Sequence, residues 1–234
     1  MKFTNSPLVT YTKLSPNHSG QRTHTIDRIT PHCVVGQCSV ETLGEFFAND
    51  DRNASSNYGI GTDGRIALYV EEKNRSWCSS SYDNDQRAVT IECASDTAEP
   101  YTMNAAVYDA LVRLCVDICQ RNGKTRLIWI SDREMALSYD LEPEEMLLTV
   151  HRWFANKSCP GEWLFERLGY LAADVSAVLN PGTDKPGHDW SRDAIEWALS
   201  RGILRGRTGG DLALSDPVTR EELVTMLYRA REVL

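Results

Sequence analysis

His151 and Cys159 stand eight positions apart in His151-Arg152-Trp153-Phe154-Ala155-Asn156-Lys157-Ser158-Cys159-Pro160-Gly161. Imidazole nitrogen and thiolate sulfur both suit a borderline-soft divalent ion, and catalytic zinc sites use three protein ligands with a fourth position open to water. Two ligands from one loop and a third from a distant strand would supply such a site. Among the five histidines, His32 is the natural third, because it follows the apolar run Ile26 to Ile29 and adjoins Cys33-Val34-Val35. Each residue also has an ordinary reading. A histidine near a strand commonly packs or hydrogen-bonds in a core, and a cysteine before proline is commonly a small buried hydrophobe.

The cysteine count bears on the same question. Seven is odd, the chain of 234 residues is too long for a disulfide miniprotein, and no CxxC pair occurs. A disulfide framework and a zinc ribbon are both disfavoured, and at least one cysteine is free, reactive or metal-bound. Net charge is −8 with no basic run, which argues against bulk capture of nucleic acid. No stretch approaches 18 apolar residues, so membrane insertion is not expected, and Met1 to Pro7 lacks the apolar segment of a signal peptide. The expectation is a soluble product made in the cytoplasm.

The elements that must position these residues follow from periodicity. Residues 1 to about 24 are polar and aperiodic and read as an irregular arm. Ile26 to Val35 reads as a buried strand, and Ser39 caps an amphipathic helix carrying Val40, Leu43, Phe46 and Phe47. Tyr58 to Val70 reads as a hairpin about Asp63-Gly64. Ala88 to Glu92 is a third strand. The strongest helix has the stripe Met103, Val107, Ala110, Leu111, Leu114, Cys115 and Ile118 and stops before Asn122-Gly123. Cys33, Cys93, Cys115 and Cys119 fall in these elements and read as packing residues. Leu127 to Ile130 is another strand, and a helix over about 163 to 179 stops at Asn180-Pro181-Gly182. The fold class is α/β, a mixed central β-sheet flanked by helices.

Four strings, in this order, carry a family resemblance: Thr30-Pro31-His32-Cys33, Tyr58-Gly59-Ile60-Gly61-Thr62-Asp63-Gly64, Val89-Thr90-Ile91-Glu92, and His151 through Gly161. Over about residues 20 to 180 the chain resembles the zinc-dependent N-acetylmuramoyl-L-alanine amidases, which share a fold with phage lysozyme-type amidases and peptidoglycan recognition proteins. The resemblance implies Zn2+ held by His32, His151 and Cys159, Glu92 as catalytic acid/base, and Lys157 facing the reacting carbonyl. In one branch a catalytic tyrosine occupies the position of Ser56, with Tyr58 two residues later, so Glu92 is favoured here. Where many relatives have Trp-His, this chain has Trp77-Cys78. Tyr58, Trp77 and Trp153 are the candidate substrate-binding residues, and for the two tryptophans packing is an equal reading.

Beyond a linker at Asn180 to Gly187, residues 184 to 234 resemble one S-layer homology repeat, a small all-α module. Pro186-Gly187-His188-Asp189-Trp190, Ala194-Ile195-Glu196-Trp197-Ala198, Gly202-Ile203-Leu204-Arg205-Gly206 and Val218-Thr219-Arg220-Glu221-Glu222 carry the likeness. Such modules bind secondary cell-wall polymers, and the resemblance implies Trp190 and Arg220 as polymer-binding positions. Thr219 and Arg220 also read simply as a helix cap and a solvated side chain. With 8 basic against 9 acidic residues over 181 to 234, an anionic polymer would have to be held by specific contacts. The modules generally work in threes, so a lone copy implies weak binding or self-association.

Together these features imply a two-domain peptidoglycan hydrolase, 1 to 180 catalytic and 184 to 234 wall-binding. It would cleave between the N-acetylmuramoyl lactyl group and L-alanine as a phage or prophage endolysin, acting on the wall after lysis or holin-type release. The alternatives are a non-catalytic peptidoglycan-binding protein and a cytoplasmic muropeptide-recycling amidase.

Overall fold

Side chains alternate along Ile66-Ala67-Leu68-Tyr69. Ile66 and Leu68 join one apolar core, whereas Ala67 and Tyr69 join another with Val40, Leu43 and Phe47. A strand buried on both faces lies between two helical layers. The computed structural model describes residues 3–180, 194, 195, 197–199, 201–205, 214 and 218–231. The chain divides into two compact units, Met1–Pro181 and Gly182–Leu234.

In the first unit, β1 (Val9–Thr12), β3 (Arg28–Cys33), β4 (Tyr58–Ile60), β5 (Ile66–Leu68), β7 (Ala88–Cys93), β8 (Arg126–Ile128) and β9 (Glu145–Leu148) form one seven-stranded sheet ordered β1-β5-β4-β7-β3-β9-β8. The β4–β5 pair is antiparallel and every other pair is parallel. β2 (His18–Gln21) and β6 (Asn74–Ser76) form a separate antiparallel pair. The mixed sheet agrees with the α/β expectation. Residues 1–24, expected to be irregular, instead contribute β1 and β2. Both are edge strands with alternating half-buried and exposed residues, so their sequence lacks the apolar signal of an interior strand.

The larger core is built on α3 (Ala105–Arg121), whose stripe from Val107 to Cys119 is buried against β4 and β7. Asn104 caps it by accepting from Val107 N at 3.0 Å, and Gly123, at φ +68°, turns the chain at the other end. The hairpin turn needs its glycine: Gly64 has φ +78°, and an added Cβ would lie 2.8 Å from the Ala106 carbonyl oxygen. The helix expected over 163 to 179 is broken into α5 (Glu162–Phe165) and α6 (Leu168–Leu179). α6 packs on α3 and β8 and supplies Leu168, Leu171, Ala172 and Val175 to the same core. The opposite face carries α1 (Val40–Ala48), with Ser39 as its N-cap. Phe46, expected on its apolar stripe, is 41% exposed and lies under the Arg52 guanidinium. α2 (Tyr82–Arg87) and α4 (Arg133–Ser138) are short helices without a sequence stripe long enough to announce them.

In the second unit, α7 (Arg220–Ala230) opens with the expected capping box. Thr219 Oγ1 accepts from Glu222 N at 3.1 Å, and Glu222 Oε2 accepts from Thr219 N at 2.8 Å. Ala194, Ile195, Trp197 and Ala198 are helical, as expected. Trp190, assigned to polymer binding, lies outside the described residues. Among the described residues no helix is long and apolar enough to cross a membrane.

Candidate metal centre

Register brings the chemistry together. β3 and β7 run parallel with His32 opposite Glu92. β3 and β9 run parallel with Ile29 opposite Leu148, so the chain three residues beyond each partner brings His32 beside His151. These groups thus gather at the carboxyl ends of adjacent parallel strands, where open α/β sheets bind ligands. Alternation selects the face. Ile29 and Cys33 of β3, and Val89, Ile91 and Cys93 of β7, join the α3 core, leaving His32 and Glu92 on the other side.

The same parity lays a row of threonines beneath the site, two residues before each functional group: Thr149, Thr30 and Thr90, each fully buried. Thr30 and Thr149 share a hydroxyl hydrogen bond of 2.7 Å, and Asn84 donates to Thr30 Oγ1 at 3.0 Å while accepting from Thr149 Oγ1 at 3.1 Å. Thr90 Oγ1 bonds Ser76 Oγ at 2.8 Å. Satisfied buried hydroxyls fix these strands to one another, which holds the side chains above them. The repeated signal Thr-x-His, Thr-x-Glu, Thr-x-His is visible in the sequence but has meaning only once the strands are known to be neighbours.

Cys159 reaches the strand ends through a tight loop. His151 begins a turn of 3-10 helix, Arg152 N donates to the Cys159 carbonyl at 3.1 Å, and the Arg152 side chain ties Ser158 O at 2.6 Å to Glu162 at 2.7 Å. Cys159 Sγ lies 3.3 Å from His32 Nδ1, and the His32 and His151 rings meet edge to face with centroids 5.1 Å apart. His32, His151 and Cys159 each present one donor atom, all within 4.8 Å of one another. Ser80 Oγ is 2.9 Å from His151 Nε2, which leaves Nδ1 of that ring for another partner. Ser80 sits at φ +62°, an uncommon conformation for a residue with a side chain, next to Cys78 and Ser79, whose backbone N–H groups both donate to the buried Asp85 carboxylate at 3.1 Å.

The electrostatics fit an ion. Burial pushes the His32 pKa well below its ordinary range, and neighbouring His151 pushes it further. Burial lowers His151 too, followed by the charge of Lys157. Both imidazoles are therefore neutral near pH 7 and present lone pairs. Two neutral imidazoles and a cysteine sulfur form a zinc-type donor set, and catalytic sites with three protein ligands leave the fourth position to water. Glu92 is pushed up to about 8, first by burial and then by its neighbour Cys33, with the Cys78 hydrogen bond acting in the opposite direction.

The remaining candidates are distributed unevenly. Lys157 is exposed on the His151–Cys159 loop, close enough to His151 to affect its protonation. Trp77 is half-buried and donates from Nε1 to Ser19 Oγ at 2.7 Å. Trp153 is 8% exposed and stacked on Trp129 at 5.3 Å, so packing accounts for it. Tyr58 offers no surface to substrate. Its position opposite Ile91 turns it into the α3 core, where its hydroxyl donates to Glu72 Oε1 at 2.6 Å and accepts from Ser6 N at 2.8 Å. Ser56 is likewise buried, its hydroxyl donating to Tyr58 O at 2.7 Å. Arg220 is exposed at the start of α7. Cys78 is an addition at the centre: its Sγ lies 3.7 Å from Glu92 Oε1. All seven cysteines are free thiols.

The family model for N-acetylmuramoyl-L-alanine amidases matches residues 22–162, well over half of the chain, and the chain belongs to that family. It is accordingly a peptidoglycan amidase. The S-layer homology domain model matches residues 183–224. Among solved structures, a selenomethionine derivative of AmpD is 17% identical, with 74% of this chain and 99% of that chain covered and a TM-score of 0.53. The endolysin N-acetylmuramoyl-L-alanine amidase LysCS from Clostridium intestinale is 16% identical, with coverages of 69% and 95% and a TM-score of 0.45. The catalytic domain of XlyA is 13% identical, with coverages of 70% and 97% and a TM-score of 0.47. At such identities the likeness concerns the fold. Comparison with curated proteins yields no match.

Proposed function

We propose that the chain is a zinc-dependent endolysin-type amidase that hydrolyses the amide between the N-acetylmuramoyl lactyl group and L-alanine. The observation that carries this reading is the convergence of His32, His151 and Cys159 within 4.8 Å, at the same strand ends as Glu92. His32, His151 and Cys159 would hold the ion, which when bound supplies a Lewis acid for an otherwise unreactive amide. Glu92, in its ionised form, takes a proton from the attacking water and passes it to the leaving nitrogen of L-alanine. The products are the lactyl carboxylate and a free amino terminus. The Lys157 ammonium stabilises negative charge developing on the reacting carbonyl oxygen. The threonine row and Ser80 keep the imidazoles in one orientation, so little reorganisation accompanies the reaction.

The S-layer homology unit would hold the enzyme on a secondary cell-wall polymer, with Trp190 and Arg220 as its contacts. Such a unit favours an insoluble wall over soluble muropeptides as substrate. Leu223, Val224, Leu227 and Tyr228 are exposed on α7, which supports assembly of this unit with further copies. In this reading the chain is of phage or prophage origin and meets the wall after lysis or holin-type release.

Purified protein incubated with Gram-positive sacculi, with and without chelator, tests the reaction. Mass analysis should find new free L-alanine amino termini that vanish with chelator and return with Zn2+. New reducing ends, or undiminished release in chelator, would overturn it. Deleting residues 184–234 should leave hydrolysis of soluble muropeptides and reduce pelleting with walls. Equal pelleting of both proteins would refute the anchoring role.

A further inference from the structure

Cys78 lies outside the His32, His151 and Cys159 set and is assigned no part in hydrolysis. His32, Cys78 and Glu92 nevertheless bring one donor atom each within 4.8 Å of one another. A separate observation concerns the ring they share with the first set. His32 is 1% exposed and directs Nδ1 toward Cys159, while its Nε2 is buried without a hydrogen-bond partner. Buried polar atoms are nearly always paired, so an orphaned ring nitrogen on a histidine that clusters with a thiol and a carboxylate points to a ligand. The thiol is held in place from its own backbone, since Cys78 N and Ser79 N are anchored to Asp85. Imidazole, thiolate and carboxylate make a donor set for zinc or a softer ion.

We propose that His32 Nε2, Cys78 and Glu92 form a second divalent-metal site, whose occupation inhibits the amidase. This inference rests on the reading of His32, His151 and Cys159 as the first site. His32 would serve both sites, since its Nδ1 faces Cys159 of the first set and its Nε2 is left for the second. Binding is a proton exchange without electron transfer: the Cys78 thiol proton, the Nε2 proton and any proton on Glu92 pass to water as the metal bonds form. Both sites displace a thiol proton, but only the second must also displace a proton from an imidazole nitrogen, so it fills after the first. It inhibits because the Glu92 lone pairs that would accept a proton from water are committed to the ion.

The test uses the full-length protein stripped with chelator and then titrated with Zn2+ or, in a parallel series, Cd2+. Bound equivalents are read by competition with a chromophoric chelator, thiolate ligation by cadmium–thiolate charge-transfer absorbance, and turnover on sacculi. The wild type should bind two equivalents. Turnover should rise with the first and fall on the order of 10²-fold with the second, as expected for loss of a general base. Cys78→Ser and Cys78→Ala should each bind one equivalent, lose one increment of charge-transfer absorbance, and show no fall in their own turnover when zinc is raised further. Two variants guard against a folding defect in either, which circular dichroism would reveal. A wild type that binds a single equivalent overturns the second site and leaves the first standing, as do variants that still bind two. A wild type that binds none overturns both.

Discussion

Replacing Glu92 by glutamine should sharply lower turnover and stabilise the metal-free protein at alkaline pH. The native Glu92 carboxyl titrates at about 8 against an ordinary 4.5, chiefly because burial disfavours its charge. Below the unfolded value, both folded and unfolded chains carry the proton and the group contributes no pH dependence. As pH rises, the unfolded chain releases its proton first while the native chain keeps it. The wild type therefore loses stability between about 4.5 and about 8, and the loss is constant above that window. A shift of that size corresponds to roughly 5 kcal/mol as an upper bound, at 1.36 kcal/mol for each unit. Glu92 keeps part of its surface accessible, and water at that surface reduces the expected cost to about 2–3 kcal/mol. Glutamine has nearly the same shape and cannot ionise. Denaturant unfolding of both metal-free proteins, followed by circular dichroism near the two ends of the window, measures the difference. Glu92→Gln should gain on the wild type as pH rises, while its hydrolysis with metal restored falls on the order of 10² to 10⁴-fold. A stability difference that ignores pH would refute the buried-carboxylate argument, and near wild-type turnover would refute the catalytic role.

Ser80→Ala removes the 2.9 Å contact with His151 Nε2 and should weaken zinc binding on the order of 10 to 100-fold, measured by chelator competition. Unchanged affinity would show that Ser80 does not orient the ligand. Arg121 bonds Glu72 at 2.5 Å and 3.0 Å, and Glu72 is only 1% exposed. Arg121→Ala leaves that carboxylate with the Tyr58 hydroxyl but without its ion-pair partner and should cost about 3 kcal/mol in denaturant unfolding; a loss under 1 kcal/mol would mean that water replaces the arginine at no penalty. Gly64→Ala forces a side chain into a left-handed turn against Ala106 O, and should lower stability by more than about 1 kcal/mol without changing metal affinity.

Strings that are informative residue by residue were legible along the chain. The α3 stripe, the Ser39 and Thr219 caps and the Asp63-Gly64 turn depend on local spacing, and each appears where that spacing indicates. β1, β2 and β9 were not legible. The first two are half-wet edges, and the third is a short run buried on both faces, which has no period to detect.

The sequence by itself determined the inventory: His32, Glu92, His151 and Cys159 as candidate chemistry, on two strands and a loop, and a separate C-terminal module. Residue type and cap or turn spacing, which are properties of neighbours in the chain, marked His32, His151 and Cys159, and the family resemblance added Glu92. The tertiary structure decided which side chains share a face, because the side-chain period of a strand is two and its register comes from pairing and from packing on α3. The same parity that sets His32 beside Glu92 above Thr30 and Thr90 turns Tyr58 into the core. Cys78 reached Glu92 because Asp85, a residue with no sequence signature, pins the loop that carries it.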